Sequence, residues 1–180
     1  MAIKVVGILN QSPQGPLHDR IQIVGGRKHE NHYISDSLLV RSTSNLLSEN
    51  ILKGMPVSDI AQLLIDYWNA VYQLYPECFT EPSAYTLLGT PGMQVMHMLF
   101  PVIYSKYIQE NRVEEIVMET HLEKLMGKTP GHTMPELQGP VDSEFWSKNH
   151  GPLIALSTGR QSREALYEGL VEKIRLMEES

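Results

Sequence analysis

The chain has 180 residues, of which 42% are hydrophobic and 20% are charged, so it is long enough to bury one sizeable core. Its 15 Lys and Arg residues against 21 Asp and Glu residues give a formal net charge of −6, which disfavours nucleic-acid binding by the surface as a whole. One cysteine excludes an internal disulfide, and no stretch has the pattern of a membrane span or a cleaved leader, so we expect a cytoplasmic protein.

The N-terminal part of the chain predicts short, irregular elements. Residues 2–9 are apolar, and so short a run leaves a strand and a helix both open. Residues 20–24 alternate polar and apolar side chains and lead into the Gly-Gly pair 25–26, while residues 31–34 form a second short run. We therefore predict a small β-hairpin whose tip, residues 27–29, is basic.

Two helices are predicted next. Ser35 is a suitable N-cap for a helix that reaches about Leu47. Ser58 is a suitable N-cap for a longer helix that ends before Pro76, because the residue before a proline avoids the helical region. The longer helix has an almost unbroken apolar stripe. Its members are Ile60, Leu63, Leu64, Tyr67, Trp68, Val71, Leu74 and Tyr75.

A third helix is predicted from Thr90, as the N-cap, with Pro91 at the first helical position, to about Ile108. Its apolar residues occur all around its circumference, so we expect it to be central and largely buried, with a kink at Pro101. These residues are Met93, Val95, Met96, Met98, Leu99, Phe100, Val102 and Ile103.

The last third of the chain predicts two more helices, over residues 112–126 and 159–177. Between them, residues 127–140 contain three glycines and three prolines, a composition typical of a long exposed loop. The aromatic pair 145–146 is expected to anchor the chain after this loop. The whole pattern predicts a mainly α fold, in which residues 1–180 form a single helical domain of about five helices with a small N-terminal β-hairpin.

No metal site is predicted. His29 and His32 have H-x-x-H spacing, but they fall in the predicted hairpin, and a zinc site normally takes three or four ligands. Cys78 stands beside an aromatic residue in an apolar run, which indicates a small core residue rather than a nucleophile.

The sequence also predicts no catalytic residue and no cofactor. His97 and His121 fall in helices, where packed or hydrogen-bonded histidines are commoner than proton relays, and His132 and His150 fall in loops without a recognisable partner. Ser157 is not part of a nucleophile elbow. The glycines form neither a G-x-G-x-x-G pattern nor a Walker loop, so an ordinary ATP site is not expected.

The best candidate site is the turn into the last helix, residues 157–163, with the sequence Ser-Thr-Gly-Arg-Gln-Ser-Arg. Thr158 and Gln161 have capping-box spacing. Backbone N–H groups at a helix start, together with two arginines, favour a phosphate or a carboxylate. An ordinary cap with solvent-facing arginines is the alternative. The predicted nucleic-acid or anion-binding residues are Lys148, Gly159, Arg160 and Arg163, extended by Arg20, Arg27 and Lys28 if the fold places them on the same side.

Several short motifs resemble the C-terminal region of DGQHR-domain proteins. They are Asp66-Tyr-Trp-Asn-Ala-Val, Leu74-Tyr-Pro-Glu-Cys-Phe, Tyr85-Thr-Leu-Leu-Gly-Thr-Pro-Gly and Leu99-Phe-Pro, with looser likeness from Leu9-Asn-Gln-Ser-Pro to Gly151-Pro-Leu. That family includes DndB-like and DpdB-like proteins, which are associated with DNA modification. This chain lacks the Asp-Gly-Gln-His-Arg motif and the ParB- and sulfiredoxin-like domain that carries it, so the chemistry of that domain is not transferred.

The resemblance implies a non-catalytic, DNA-associated or regulatory module linked to DNA modification, with DNA contacted through a local basic face. One alternative is a protein-interaction module that docks onto a separate modification or motor protein, including one that carries the missing N-terminal domain. A second alternative, a small enzyme that binds a phosphorylated ligand, stays open through the Gly159-Arg160 turn. No membrane partner is expected.

Overall fold

The computed structural model describes residues 1–23, 32–110, 114–151 and 159–179. These residues contain seven α-helices, so the prediction of a mainly helical fold is confirmed. The helices are α1 (Ala2–Gln11), α2 (Asp36–Leu46), α3 (Val57–Leu74), α4 (Pro76–Thr80), α5 (Thr90–Glu110), α6 (Glu114–Glu123) and α7 (Arg160–Glu178). Single 3₁₀ turns occur at Asn50–Leu52, Lys124–Met126, Pro135–Leu137 and Glu144–Trp146.

The two short strands, β1 (Ile21–Gln22) and β2 (Ile34–Ser35), pair in parallel and do not form the predicted hairpin. Ile21 lies opposite Ile34, and both side chains are buried. Parallel strands need a crossover between them instead of a tight turn. The polar–apolar alternation located the strands, but runs this short carry no signal for their relative direction. The predicted basic tip, residues 27–29, lies outside the described residues.

The N-terminal segment, for which a strand and a helix were both open, is helix α1. Its buried face consists of Ala2, Val5, Val6 and Leu9, and it packs against α2 and α3. The next helix, α2, begins directly after Ser35, which confirms the predicted N-cap position.

Helix α3 begins at Val57, two residues before the start that a Ser58 cap predicts. Pro56 is the N-cap, and the hydroxyl of Ser58 donates instead to Asp59 Oδ1 at 2.8 Å, so the Ser58 cap was wrong. The helix ends at Leu74, and Pro76 opens the short helix α4. The predicted end before Pro76 is therefore confirmed.

Helix α5 is a central and largely buried helix, as predicted, and it packs against α2, α6 and α7. Its fully buried side chains are Met93, Val95, Met96, Leu99, Phe100 and Ile103. The helix includes Thr90 itself and contains Pro101 in its interior. At Gly92 a Cβ atom would lie 2.4 Å from Leu87 Cα, so the close approach of the preceding turn requires glycine.

An aromatic cluster joins α3, α4 and α5. The ring of Tyr67 is edge-on to Phe100, with centroids 5.2 Å apart, and that of Trp68 is edge-on to Phe79 at 6.3 Å. Cys78 is fully buried beside this cluster, and burial raises the pKa of its thiol to about 12. The predicted role of Cys78 as a core residue is therefore confirmed.

The aromatic pair after the long loop anchors the chain as predicted. Trp146 is fully buried, and its ring is edge-on to that of Tyr75 with centroids 6.1 Å apart. The backbone carbonyl of Trp146 accepts hydrogen bonds from the N–H of Thr86 at 2.8 Å and from its hydroxyl at 2.9 Å.

The segment 127–140 is a loop with one 3₁₀ turn and several exposed residues, as predicted, but Thr129, His132 and Leu137 are buried and the segment is packed against α7. The reason is the fully buried Lys173 on α7, which this segment surrounds with oxygen atoms. Lys173 Nζ donates to the carbonyl oxygens of Gly127 at 2.7 Å, Leu137 at 2.9 Å and Gly139 at 2.8 Å. The Thr129 hydroxyl lies 3.2 Å from the same nitrogen. Burial lowers the pKa of Lys173.

His132 ties the same segment to α7, although the sequence suggested no partner for it. The N–H of Met134 donates to His132 Nδ1 at 2.9 Å, so the ring proton of the neutral imidazole is on Nε2. Nε2 donates to the carbonyl of Gly169 at 2.8 Å. A Cβ atom at Gly169 would lie 2.5 Å from Leu137 Cδ1, so the missing side chain lets the segment approach the helix.

Among residues 1–23, 32–110, 114–151 and 159–179, no helix has both the length and the apolar character that crossing a membrane requires.

Candidate functional site: a groove between α2, α5 and α7

A groove of about 530 Å³ lies between α2, α5 and α7, and we call it the central groove. Each helix lines it with one row of side chains, spaced so that the row lies on a single helical face. Helix α2 provides Arg41, Ser42, Asn45 and Leu46, and Glu49 follows in the turn after α2; α5 provides Gln94, His97, Met98 and Pro101; α7 provides Arg160, Arg163, Glu164 and Tyr167.

Two of the predicted site residues, Arg160 and Arg163, line the groove from the first turn of α7. Gly159 precedes them as the exposed N-cap of that helix. The predicted capping box was therefore wrong, because it required Thr158 at the cap position. Thr158 itself lies outside the described residues.

Arg20 and Lys148 do not line the groove. The guanidinium of Arg20 donates to the carbonyl of Phe79 and lies 5.9 Å from the centroid of that ring. Lys148 Nζ donates to the carbonyl of Ser83 at 2.8 Å. Each of these cations is thus held in a local structural contact. Arg27 and Lys28 lie outside the described residues.

Arg41 is the third cation of the groove, and the sequence analysis did not identify it. It is exposed on α2, and in the described part of the chain it forms no hydrogen bond or ion pair. No sequence signal could have singled it out, because its importance arises only where α2 meets α7. The groove lining contains three arginines against two glutamates, so its formal charge is positive in a chain of net charge −6.

Arg160 already has a partner within the groove. Its Nε donates to Glu164 Oε1 at 2.7 Å, one helical turn further along α7, and this hydrogen bond raises the pKa of Arg160. The pair is exposed, so water screens most of its attraction. An incoming anion can therefore compete with Glu164 for this guanidinium.

The groove has two chemically different ends. Tyr167 and Glu49 both line the groove, from α7 and from the turn after α2, and burial of the Tyr167 ring together with the carboxylates of Glu49 and Glu168 raises the pKa of Tyr167. On α7, Arg160 lies about two helical turns before Tyr167, roughly 11 Å along the helix, and on α2 Arg41 lies more than one turn before the end of the helix that precedes Glu49. Among the described residues of α7, none beyond Tyr167 lines the groove, so Arg160 lies at the opposite end of this row of side chains, and Arg163 lies one turn before Tyr167.

The floor of the groove is a chain of buried hydrogen bonds with a fixed direction. Trp68 Nε1 donates to His97 Nε2 at 3.2 Å, and an indole N–H can only donate. The ring proton of the neutral His97 is therefore on Nδ1, which donates to Ser42 Oγ at 2.9 Å. The Ser42 hydroxyl in turn donates to the carbonyl of Leu39 at 3.2 Å.

This direction is the reverse of the one that nucleophilic catalysis needs. A general base accepts the proton of the serine hydroxyl, whereas His97 gives its own proton to Ser42. Burial lowers the pKa of His97 to about 4, while its hydrogen bond with Ser42 acts to raise it, so the ring is neutral near pH 7. The Ser42–His97 pair is therefore not arranged as a nucleophile and its base.

The side chains of His32 and His121 have partners of their own. His32 Nε2 lies 3.3 Å from Asp19 Oδ1, and Lys124 Nζ donates to His121 Nδ1 at 2.8 Å. Within the described segments, no three His, Cys, Asp or Glu side chains come close enough together to hold a metal ion. His29, the other member of the H-x-x-H pair, lies outside them.

Comparison of the chain with known protein families, curated proteins and solved structures finds no match. The resemblance to DGQHR-domain proteins stays a prediction, and the functional inference depends on the chemistry of the central groove.

Proposed function

We propose that the protein is a non-catalytic module that binds nucleic acid by holding its phosphate in the central groove. The observation that carries this proposal is the convergence of Arg41, Arg160 and Arg163 on one concave site of an otherwise acidic chain. A local positive site on a negative protein directs an anionic ligand to that site and away from the remaining surface.

The side chains of the groove suit a phosphate group well. A guanidinium presents a planar fork of N–H donors that matches phosphate oxygens in pairs. Asn45 and Gln94 add neutral amide donors from the two other helices. The first backbone N–H groups of α7 add a partial positive charge beside Arg160.

The motifs that resemble DGQHR-domain proteins support DNA as the polymer. In this proposal the protein binds DNA for a DNA-modification system or regulates that system, while a separate protein carries the DGQHR domain. A cytoplasmic location fits both this role and the single buried thiol of Cys78.

The hydrogen-bond direction at His97 supports the non-catalytic part of the proposal. We expect the purified protein to hydrolyse ATP no faster than a protein-free blank. Sustained turnover that disappears on Arg160→Ala would contradict the proposal and favour a small enzyme that binds a phosphorylated ligand.

Fluorescence anisotropy with labelled DNA at low salt tests the binding role. Two hydrogen-bonded arginines contribute enough that the double variant Arg41→Ala/Arg163→Ala should bind at least about tenfold more weakly. The matched control is Arg175→Ala with Lys53→Ala, which removes the same number of exposed cations outside the groove. An equal loss in both double variants would show that binding depends on overall charge and would contradict the proposal.

A second candidate function, protein docking, is favoured by exposed apolar side chains on and beside α1. Ile3 is 74% exposed, Met1 65% and Ile8 36%. Such a group of apolar side chains is a common feature of interaction sites. If docking is the main role, Ile3→Glu should release a stoichiometric partner that co-purifies with the protein, whereas Arg41→Ala/Arg163→Ala should retain it.

A further inference from the structure

We infer that the central groove takes one unpaired nucleotide, with its phosphate at the arginine end and its base at the Tyr167–Glu49 end. The nucleotide is either free or part of a single strand, since both present the same chemistry to the groove. This inference rests on the proposed function. It narrows the ligand from nucleic acid in general to a nucleotide whose base is neither paired nor stacked on its neighbours.

The size and depth of the groove support a single nucleotide. A concave volume of about 530 Å³ falls within the range of small-ligand sites, roughly 300–1,000 Å³. Its floor is formed by His97, which is only 2% exposed, so a ligand that fills the groove is surrounded on three sides by helices. A duplex keeps its bases stacked inside a convex backbone, so it cannot place both a phosphate and a base in such a site.

The end of the groove opposite the arginines suits a base. The half-buried ring of Tyr167 offers a face for stacking, and Leu46, the last residue of α2, lies on the neighbouring wall. Aromatic side chains stack on bases of any sequence, whereas a phosphate gains nothing from such a surface. The groove therefore combines a cationic end and an apolar, aromatic end within the reach of one ligand.

Glu49 adds a preference among bases. An ionised carboxylate can only accept hydrogen bonds, so it favours the exocyclic amino group of cytosine, adenine or guanine. Thymine presents a carbonyl oxygen in the place of this amino group, and its one N3–H donor stands between two carbonyl oxygens that repel a carboxylate. We therefore expect cytosine to be bound more tightly than thymine, two bases of the same ring size.

Fluorescence anisotropy with labelled oligo-dC, oligo-dT and a dC·dG duplex of equal length tests this inference. Stacking of one base on Tyr167 should make single-stranded oligo-dC bind about tenfold more tightly than the duplex. Tyr167→Leu should remove that advantage and Tyr167→Phe should keep it, which separates stacking from a folding defect. Tyr33→Leu is the matched control, because Tyr33 is 41% exposed and lies outside the groove. Glu49→Gln should make oligo-dC and oligo-dT bind equally.

Calorimetric titration with dCMP and deoxycytidine distinguishes the two sources of the nucleotide. Whether the nucleotide is free or part of a strand, dCMP should bind, and deoxycytidine, which lacks the phosphate, should bind far more weakly. If dCMP binds as tightly as oligo-dC, a free nucleotide is sufficient as the ligand. If dCMP binds much more weakly than oligo-dC, the ligand is a nucleotide within a strand. Binding of deoxycytidine as tight as that of dCMP overturns the inference.

Different experimental results would overturn this inference and the proposed function. If the duplex binds at least as well as oligo-dC and Tyr167→Leu has no effect, the inference is wrong. The proposed function then still stands, provided that Arg41→Ala/Arg163→Ala weakens duplex binding. If the wild-type protein binds none of these probes at low salt, both are wrong.

Discussion

The imidazole of His97 is buried with both of its nitrogens hydrogen-bonded, so the folded protein strongly prefers the neutral ring. Protonation would place a second donor opposite the N–H of Trp68 and leave a charge without solvent. Because an unfolded histidine accepts a proton near pH 6.5, acid favours the unfolded state first. One buried side chain thus makes the free energy of unfolding depend on pH.

We predict that this dependence appears between about pH 6.5 and pH 4, the unfolded and folded pKa values of His97. The folded pKa is the lower one, so the stabilisation is complete above pH 6.5 and is lost as the pH falls toward 4, by up to roughly 3 kcal/mol. Urea unfolding of the wild type and His97→Gln across this window measures the difference. Glutamine can also accept from Trp68 and donate to Ser42, but it does not titrate. Parallel pH profiles for the two proteins would contradict the prediction.

Lys173 differs from His97 because it is a cation, and it is buried among neutral oxygen atoms. Replacing it with methionine leaves the carbonyls of Gly127, Leu137 and Gly139 without their donor. We expect Lys173→Met to lower the free energy of unfolding by roughly 2–4 kcal/mol and to expose segment 127–140 to proteases. Lys106→Met is the control: Lys106 pairs with Glu178 at the surface at 2.9 Å, and its loss should change stability by less than about 1 kcal/mol.

At the scale of the elements, α5 is a central helix against which α2, α6 and α7 pack. Leu99 is fully buried in its middle, and Leu99→Ala should lower the free energy of unfolding by roughly 2–5 kcal/mol. Ile108→Ala is the control on the same helix, where a 52% exposed side chain should matter by no more than about 0.5 kcal/mol. Chemical denaturation of both variants checks the difference, and equal small effects would contradict the central position of α5.

The sequence predicted the elements that depend on local patterns. The apolar period located α3 and α5, and Pro76 marked the end of α3, because these signals act within one or two turns. The parallel pairing of β1 and β2 and the packing of segment 127–140 depend on partners far away in the chain. Lys173 shows the reason: a lysine in a helix predicts exposure, and only the assembled fold supplies the oxygens that hold it.

The same distinction between local and long-range signals applies to the residues of the candidate site. Arg160 and Arg163 were found from the sequence because both belong to one turn of one helix. Arg41 was not, since it joins them only through the packing of α2 and α7 on α5. Arg20 was grouped with them on charge alone, but its guanidinium is held by Phe79.

At the scale of the whole molecule, the net charge of −6 limits how nucleic acid can approach. Contact confined to the one phosphate held by the groove arginines should give a plot of log affinity against log salt with a slope of about −0.7 for a single strand. Arg41→Ala/Arg163→Ala should reduce the slope toward zero. Anisotropy titrations over a salt series measure both values. A slope several times steeper would indicate a broad basic surface in place of the groove.

The burial of Cys78 provides a way to measure how often the core around it opens. Its thiol has no access to solvent and its pKa is near 12, so a thiol-reactive dye cannot label it while the aromatic cluster stays closed. Each labelling event therefore records an opening of the core around α3, α4 and α5. Since the chain has no other cysteine, the wild-type protein reports the frequency of its own openings without an engineered probe.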